Sequence, residues 1–137
     1  MASGGPAIRV PAAGGVPVAV TALDSTEEDI THRWVQFLPD GRRFLFFART
    51  SSAAGGERDA ICLGNLESPE ITRLVRASSN AVYADGQIFF VRERTLMAMP
   101  FDAGAGRATG DAVPVAERVS VSRSWGAEGT LDAMAAV

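Results

Sequence analysis

The sequence predicts an all-β chain of short antiparallel strands, and three observations point that way. Helical periodicity is nearly absent, and the apolar residues fall into short clusters separated by Gly, Pro, Asp and Asn, the pattern of strands joined by turns. Two clusters, Phe44-Leu45-Phe46-Phe47-Ala48 and Ile88-Phe89-Phe90-Val91, are apolar at every position. A strand of that kind is buried on both faces and sits inside a stack of sheets. Finally, an Asp-Gly pair precedes each of them, at Leu38-Pro39-Asp40-Gly41 and Tyr83-Ala84-Asp85-Gly86. Glycine takes the positive φ that a tight turn needs, and Asp can accept a hydrogen bond from the local backbone.

Taken in order, the first strand is Val16-Pro17-Val18-Ala19-Val20, with Pro17 near its start, where a missing N–H does least harm. The Phe44 cluster follows, then Ile61-Cys62-Leu63 and Ile71-Thr72-Arg73-Leu74-Val75. The Ile88 cluster, Leu96-Met97-Ala98-Met99, Val113-Pro114-Val115 and Arg118-Val119-Ser120-Val121 complete the set.

The turns recur. Gly41 and Gly86 are 45 positions apart, and Pro11 and Pro100, in similar Pro-containing turns, are 89 apart, close to twice that spacing. A period of about 40–50 residues with four short strands per period is the signature of β-propeller blades. The expected fold is therefore a partial β-propeller of about two and a half four-stranded antiparallel blades. Residues 1–121 form the incomplete propeller: 8–21 end one blade, 34–75 make a full blade and 80–115 a second. Residues 122–137 are an unassigned tail or the start of a further blade.

Composition narrows the function. The apolar fraction of 47% supports a buried core, and a net charge of −3 argues against non-specific nucleic-acid binding. All thirteen basic residues are Arg, which removes Schiff-base chemistry and a phosphate-binding P-loop lysine. A single cysteine, Cys62, excludes an internal disulfide and multi-cysteine metal sites, and a single histidine, His32, excludes two- and three-histidine sites. No cofactor or metal is expected. No apolar run is long enough to span a membrane. Residues 1–6 lack a basic segment followed by an apolar stretch, so no signal peptide is expected.

The segment His32-Arg33-Trp34-Val35-Gln36-Phe37-Leu38-Pro39-Asp40-Gly41-Arg42-Arg43-Phe44-Leu45-Phe46-Phe47 resembles the TolB-like, WD-like propeller repeat of bacteria. In that repeat a first strand ends in a Pro-Asp-Gly turn and an aromatic-rich second strand follows. Leu66-Glu67-Ser68-Pro69-Glu70-Ile71-Thr72-Arg73-Leu74-Val75 and Ser78-Ser79-Asn80-Ala81-Val82-Tyr83-Ala84-Asp85-Gly86 look like the propeller region that follows the kinase domain in some bacterial serine/threonine protein kinases. The likeness covers residues 8–121 and departs from the repeat at Ala84, where proline is usual, and after Trp125. It implies a module that binds a protein or a small ligand and, in such relatives, often lies outside the cytoplasm, in the periplasm for instance. A detached regulatory segment of a bacterial kinase or of a propeller-bearing peptidase is the alternative. The chain has no Gly-rich phosphate loop, His-Arg-Asp loop, Asp-Phe-Gly or Gly-x-Ser-x-Gly elbow, so no kinase or hydrolase turnover is expected of it.

Asp40, Gly41, Asp85 and Gly86 are read as structural turns, the two Asp side chains accepting local backbone N–H groups. His32, Arg33 and Trp34 are the candidates for a binding face, with His32-Arg33 placed in a loop just before the first strand of the full blade. Glu27-Glu28-Asp29 reads as a solvated acidic run, and Cys62 as a small core hydrophobe. Trp34, Phe37, Tyr83 and Phe101 read as packing between blades. The arginines at 42, 43, 73, 76, 92 and 94 read as exposed edges and cross-strand ion pairs. Open blade faces would favour self-association.

Overall fold

The structure, a computed structural model, describes residues 5–51 and 58–118 together with the backbone of 122–124 and 128–130. The strand expected at Arg118-Val119-Ser120-Val121 lies largely outside the described residues, as do most of 122–137. The described chain is all-β and antiparallel. Strands β1 (Ile8–Arg9) and β2 (Val18–Ala19) form a hairpin. A single 3-10 turn at Ser25–Glu27 follows, capped by the Asp24 carboxylate, which accepts the Thr26 N–H at 2.9 Å. The first four-stranded sheet is the meander β3 (Asp29–Phe37), β4 (Arg43–Thr50), β5 (Ala60–Asn65) and β6 (Ser68–Arg76). The second begins with β7 (Val82–Ala84), β8 (Gln87–Arg92) and β9 (Thr95–Asp102). Its outer strand is split into β10 (Arg107–Ala108) and β11 (Val113–Glu117), which pair with successive stretches of β9. Pro114 fits in β11 because this is an edge strand. Last, β12 (Ser122–Ser124) pairs with β13 (Glu128–Thr130).

Three apolar layers hold these sheets. Leu45, Phe47 and Ile61 on one face of the first sheet share a core with Ile88, Phe90, Met97, Met99 and Phe101 of the second. The opposite face of the first sheet carries Phe44, Phe46, Ala48, Ala60 and Cys62, against which Val20 packs from the N-terminal segment. On the far side of the second sheet Val91 and Leu96 form a smaller layer with Val82, Phe89 and Ala116. Phe44 through Ala48 are all buried, as are Ile88, Phe90 and Val91. Both middle strands are therefore covered on two sides, which is why neither alternates with polar residues.

The backbone hydrogen bonds show which faces correspond. In the first sheet Leu66 N–H donates to the Arg42 carbonyl; in the second, Phe101 N–H donates to the Gly86 carbonyl. Each bond joins a third strand to the start of a second strand. In an antiparallel ladder, backbone groups two residues farther on point the same way. Phe44 and Phe46 thus turn their backbone toward β5 as Ile88 and Phe90 turn theirs toward β9. For L-residues that direction fixes the face on which the side chain lies. Phe44 and Phe46 therefore correspond to Ile88 and Phe90, an offset of 44 rather than the 45 read from the Asp-Gly pairs. The difference arises in the turns: five residues, 38–42, join β3 to β4, whereas only Asp85 and Gly86 join β7 to β8. A slip of one residue exchanges the faces of a strand. With the corrected register, the face that Phe44 marks on the first sheet is the one that Ile88 presents to the first sheet's other side. The sheets stack head to tail.

The N-terminal hairpin ends in the same kind of backbone bond as the strand pairs of the first sheet. Val20 N–H donates to the Ala7 carbonyl at 2.8 Å and Ala77 N–H to the Asp59 carbonyl at 3.1 Å, each one step beyond the registers of β1–β2 and β5–β6. Ser51 N–H donates to the Glu28 carbonyl at 3.0 Å in the same way beyond β3–β4, so this end bond is common to both halves of the first sheet. Strand β2 is shorter than the expected 16–20 cluster, of which Val16 and Val18 are exposed.

Candidate functional site

The polar centre of the molecule lies where the N-terminal segment meets the first sheet. His32 lies inside β3 and its side chain is fully buried, which corrects the expected loop placement of His32-Arg33. Its strand begins at Asp29, five residues earlier than the first expected blade strand at Trp34. The His32 ring packs on Phe46 at 4.6 Å. Nε2 lies 3.0 Å from Asp29 Oδ2 and Nδ1 2.8 Å from Thr21 Oγ1. An ionised carboxylate only accepts, so Nε2 carries the proton and Nδ1 accepts the Thr21 hydroxyl. Thr21 Oγ1 in turn accepts the Ala7 N–H at 2.8 Å, and the His32 N–H reaches the Gly5 carbonyl at 2.8 Å. The network pins the N-terminal segment across the Phe44 face.

Arg73 completes it from β6, with Nη2 3.0 Å from Asp29 Oδ1 and Nε 3.7 Å from Glu27. Burial alone would raise the Asp29 pKa, but hydrogen bonds from Arg73, His32 and the Asp24 backbone outweigh it and hold the carboxyl below its usual range. For His32, burial dominates and lowers the pKa, assisted by the Arg73 charge and opposed by Asp29. The Arg73 guanidinium is held charged, burial being outweighed by its bonds and the nearby carboxylates.

Hydroxyl, imidazole and carboxylate stand here in the order of a nucleophilic relay. Thr21 is 5% exposed, however, and its oxygen is already engaged by Ala7. Asp29 is neutralised by Arg73. The geometry serves to fasten two segments together. Beside it opens a cleft of about 410 Å³ lined by Leu23, Asp24, Asp29, Pro69, Ile71 and Arg73 among others. No group of three or more potential metal-ligating side chains occurs among the described residues.

A second feature is a bulge in β3. Arg33 pairs with Phe47 and Gln36 with Leu45, so Trp34 and Val35 together oppose Phe46. Trp34 has φ 55, a region that a bulky side chain rarely enters. The bulge turns the indole onto Phe47, ring centroids 5.3 Å apart, and leaves Val35 44% exposed. Gln36 then reaches the second sheet, its Oε1 accepting the Tyr83 N–H at 3.0 Å. The first strands of the two sheets, β3 and β7, therefore touch at this point. Trp34, Tyr83 and Phe101 pack at the shared core, but Phe37 is 51% exposed and lies outside it, touching Phe44 edge-on.

The turn residues act differently from one another. Asp40 Oδ1 accepts the N–H groups of Arg42 and Arg43 at 2.8 and 2.9 Å, and Gly41 has φ 70. At the second turn Asp85 makes no side-chain bond to the local backbone among the described residues. Its contribution is its own φ of 51 beside Gly86 at 74, the paired positive φ of a two-residue hairpin. The acidic run is likewise divided. Glu28 meets Arg58 and Ser51 at the surface, while the Asp29 side chain is 2% exposed. Cys62 is buried in the Phe44 face, its thiol pushed up to about 12 by burial. The arginines are mixed: Arg42 pairs with Glu67 at the surface, whereas Arg92 spans to the Arg76 carbonyl and lies over the Phe90 ring.

Sequence reasoning missed Thr21, Asp29 and Arg73, which lie far apart in the chain and converge only on folding. The spacing of Asp29 and His32 gave no signal: three apart in a regular strand they would face opposite ways, and only the irregularity between Asp29 and Thr31 brings them together. No family model, curated protein or solved structure matches the chain.

Proposed function

We propose that this chain is part of a β-propeller and serves as a non-catalytic module that binds a protein or small ligand. The observation that carries the reading is the head-to-tail order of equivalent faces in the two sheets. Repetition of one sheet by rotation about a common axis generates that order, whereas a two-fold sandwich would bring equivalent faces together. Contact between β3 and β7 through Gln36 and Tyr83 supports an axis along the first strands.

On this reading the binding face is the end of the array bearing the β3 bulge, with Arg33, Trp34 and Val35 as its residues. A bulky residue held at positive φ costs about 1–3 kcal/mol, and such strain concentrates at functional sites. His32 belongs to the latch behind this face. The test is selection of binders from a displayed random-peptide library on the immobilised chain. Val35→Asp should abolish capture of the selected peptides while Glu67→Gln at the outer edge leaves it intact. Equal capture by both variants would overturn the assignment of the face. Kinase or hydrolase turnover by the purified chain would overturn the non-catalytic reading.

A further inference from the structure

We propose that the cleft beside the end of β6 is an anion site for a phosphate group, either inorganic phosphate or the monoester of a small molecule. The site lies apart from residues 33–35 and does not depend on how the sheets repeat. It begins with an irregularity in β6. Arg73 pairs with Cys62 and Val75 with Ile61, so Leu74 is an extra residue in the strand. Arg76 then pairs with Ala60. Directly opposed residues of an antiparallel pair share a face, and Ala60 and Cys62 both belong to the Phe44 face. Arg73 and Arg76 therefore stand on one face, although residues three apart in a regular strand would point opposite ways. Leu74 and Val75 pack against the core on the other side.

A third arginine joins them from the chain just before β5. Arg73 Nη2 donates to the Arg58 carbonyl at 3.2 Å, which holds Arg58 next to β6. Arg58, Arg73 and Arg76 line one cleft of about 270 Å³, whose lining includes a single acid, Glu27, among the described residues. The existing partners of these arginines leave room for a ligand. Asp29 grips the Arg73 fork from a different cleft, so Arg73 is a fixed wall shared by the two. Arg58 meets Glu28 at 3.2 Å in an exposed pair, a kind that contributes little to stability and yields to a better partner. The Arg76 side chain has no hydrogen-bond or ion-pair partner among the described residues. Its backbone is nonetheless fixed, because Arg92 Nε donates to the Arg76 carbonyl at 3.1 Å.

Size and charge select the ligand. Cavities for drug-sized molecules run from about 300 to 1,000 Å³, so a cleft of about 270 Å³ takes a small anion and not a nucleotide. Three arginines against Glu27 leave two positive charges in the lining. A phosphate monoester carries about −1.5 to −2 at pH 7, which matches that surplus, whereas a carboxylate brings a single charge. Its three terminal oxygens can also accept from three guanidinium groups at once, by charge-assisted hydrogen bonds.

The test titrates the full chain with inorganic phosphate, phenyl phosphate and acetate at constant ionic strength, read by calorimetry and by the Nε–H shifts of the arginine side chains. Saturable phosphate binding at least about tenfold tighter than acetate binding is expected, and the ratio of the two phosphate affinities tells a free ion from a monoester. Arg76→Gln should weaken phosphate binding by about tenfold or more, and Glu27→Gln, which removes the competing carboxylate, should tighten it. Arg42→Gln, at the opposite end of the sheet, should leave it unchanged. Absence of saturation, acetate binding as tight as phosphate, or weaker binding by Glu27→Gln overturns the proposal. Equal weakening by Arg76→Gln and Arg42→Gln also overturns it and marks an adventitious ion only. Should Arg76→Gln fail to fold, the wild-type chain decides: an Arg76 Nε–H shift that saturates with phosphate supports the site, and an unmoved one overturns it. Failure here leaves the peptide capture at Val35 untouched, so the two readings fail separately.

Discussion

Replacing His32 with Phe isolates the polar latch from the packing around it. The ring keeps its place on Phe46, so the aromatic contact at 4.6 Å survives. What disappears is the acceptor for the buried Thr21 hydroxyl and one donor to Asp29. A buried polar group left unsatisfied costs about 1–3 kcal/mol; Asp29 keeps Arg73 and loses less. The expected loss is about 2–4 kcal/mol, a downward shift of about 1–2 M in the urea midpoint for a slope of about 2 kcal/mol per M. The pH dependence supplies a second readout. The folded-state pKa of His32 is depressed, so its contribution is complete above the unfolded value of about 6.5 and declines as pH falls below it. The slope of that decline can reach about 1.4 kcal/mol per pH unit for one proton. Asp29, also depressed, adds stability above about 3.8 that is lost as pH falls through its folded value. In His32→Phe the first decline should vanish and the second remain. A variant within about 0.5 kcal/mol of wild type, or one that keeps the wild-type slope between pH 6.5 and 5, would refute the latch.

Two further outcomes follow from the Phe44 face. A Cβ added at Gly64 would lie 2.6 Å from two ring atoms of Phe44, itself only 1% exposed. Gly64→Ala should therefore cost about 1–3 kcal/mol by overpacking, read by urea unfolding, and Phe44→Leu should recover part of that loss in the double variant; simple additivity would argue against the contact. Cys62, buried with its thiol raised to about 12, should resist alkylation at neutral pH until the chain is unfolded, and rapid labelling of the native chain would contradict its burial.

The strands were legible because their clusters are short and bounded by Gly, Pro and Asp, and the two-sided apolarity of Phe44–Ala48 correctly implied cover on both faces. The register was harder. Asp40-Gly41 and Asp85-Gly86 look like the same turn, yet one bonds through the Asp40 side chain and the other through two positive φ angles. Turn residues alone do not report how many residues separate the last paired positions, and here that count decides which face of β4 matches which face of β8. The latch was illegible for a different reason. Thr21, Asp29, His32 and Arg73 are ordinary residues for strands and loops, and their convergence depends on a bulge, a hairpin and the outermost strand of the sheet together. Phe37 shows the reverse error, an aromatic residue whose size suggested the core but whose place at the end of β3 leaves it half outside.

Nuclear Overhauser contacts between assigned side chains test the stacking order most directly. The account predicts contacts from Leu45, Phe47 or Ile61 to Ile88, Phe90 or Met97, while Phe44 and Phe46 see Val20 and His32. Contacts from Phe44 or Phe46 to Ile88 or Phe90 would place equivalent faces against each other and contradict it.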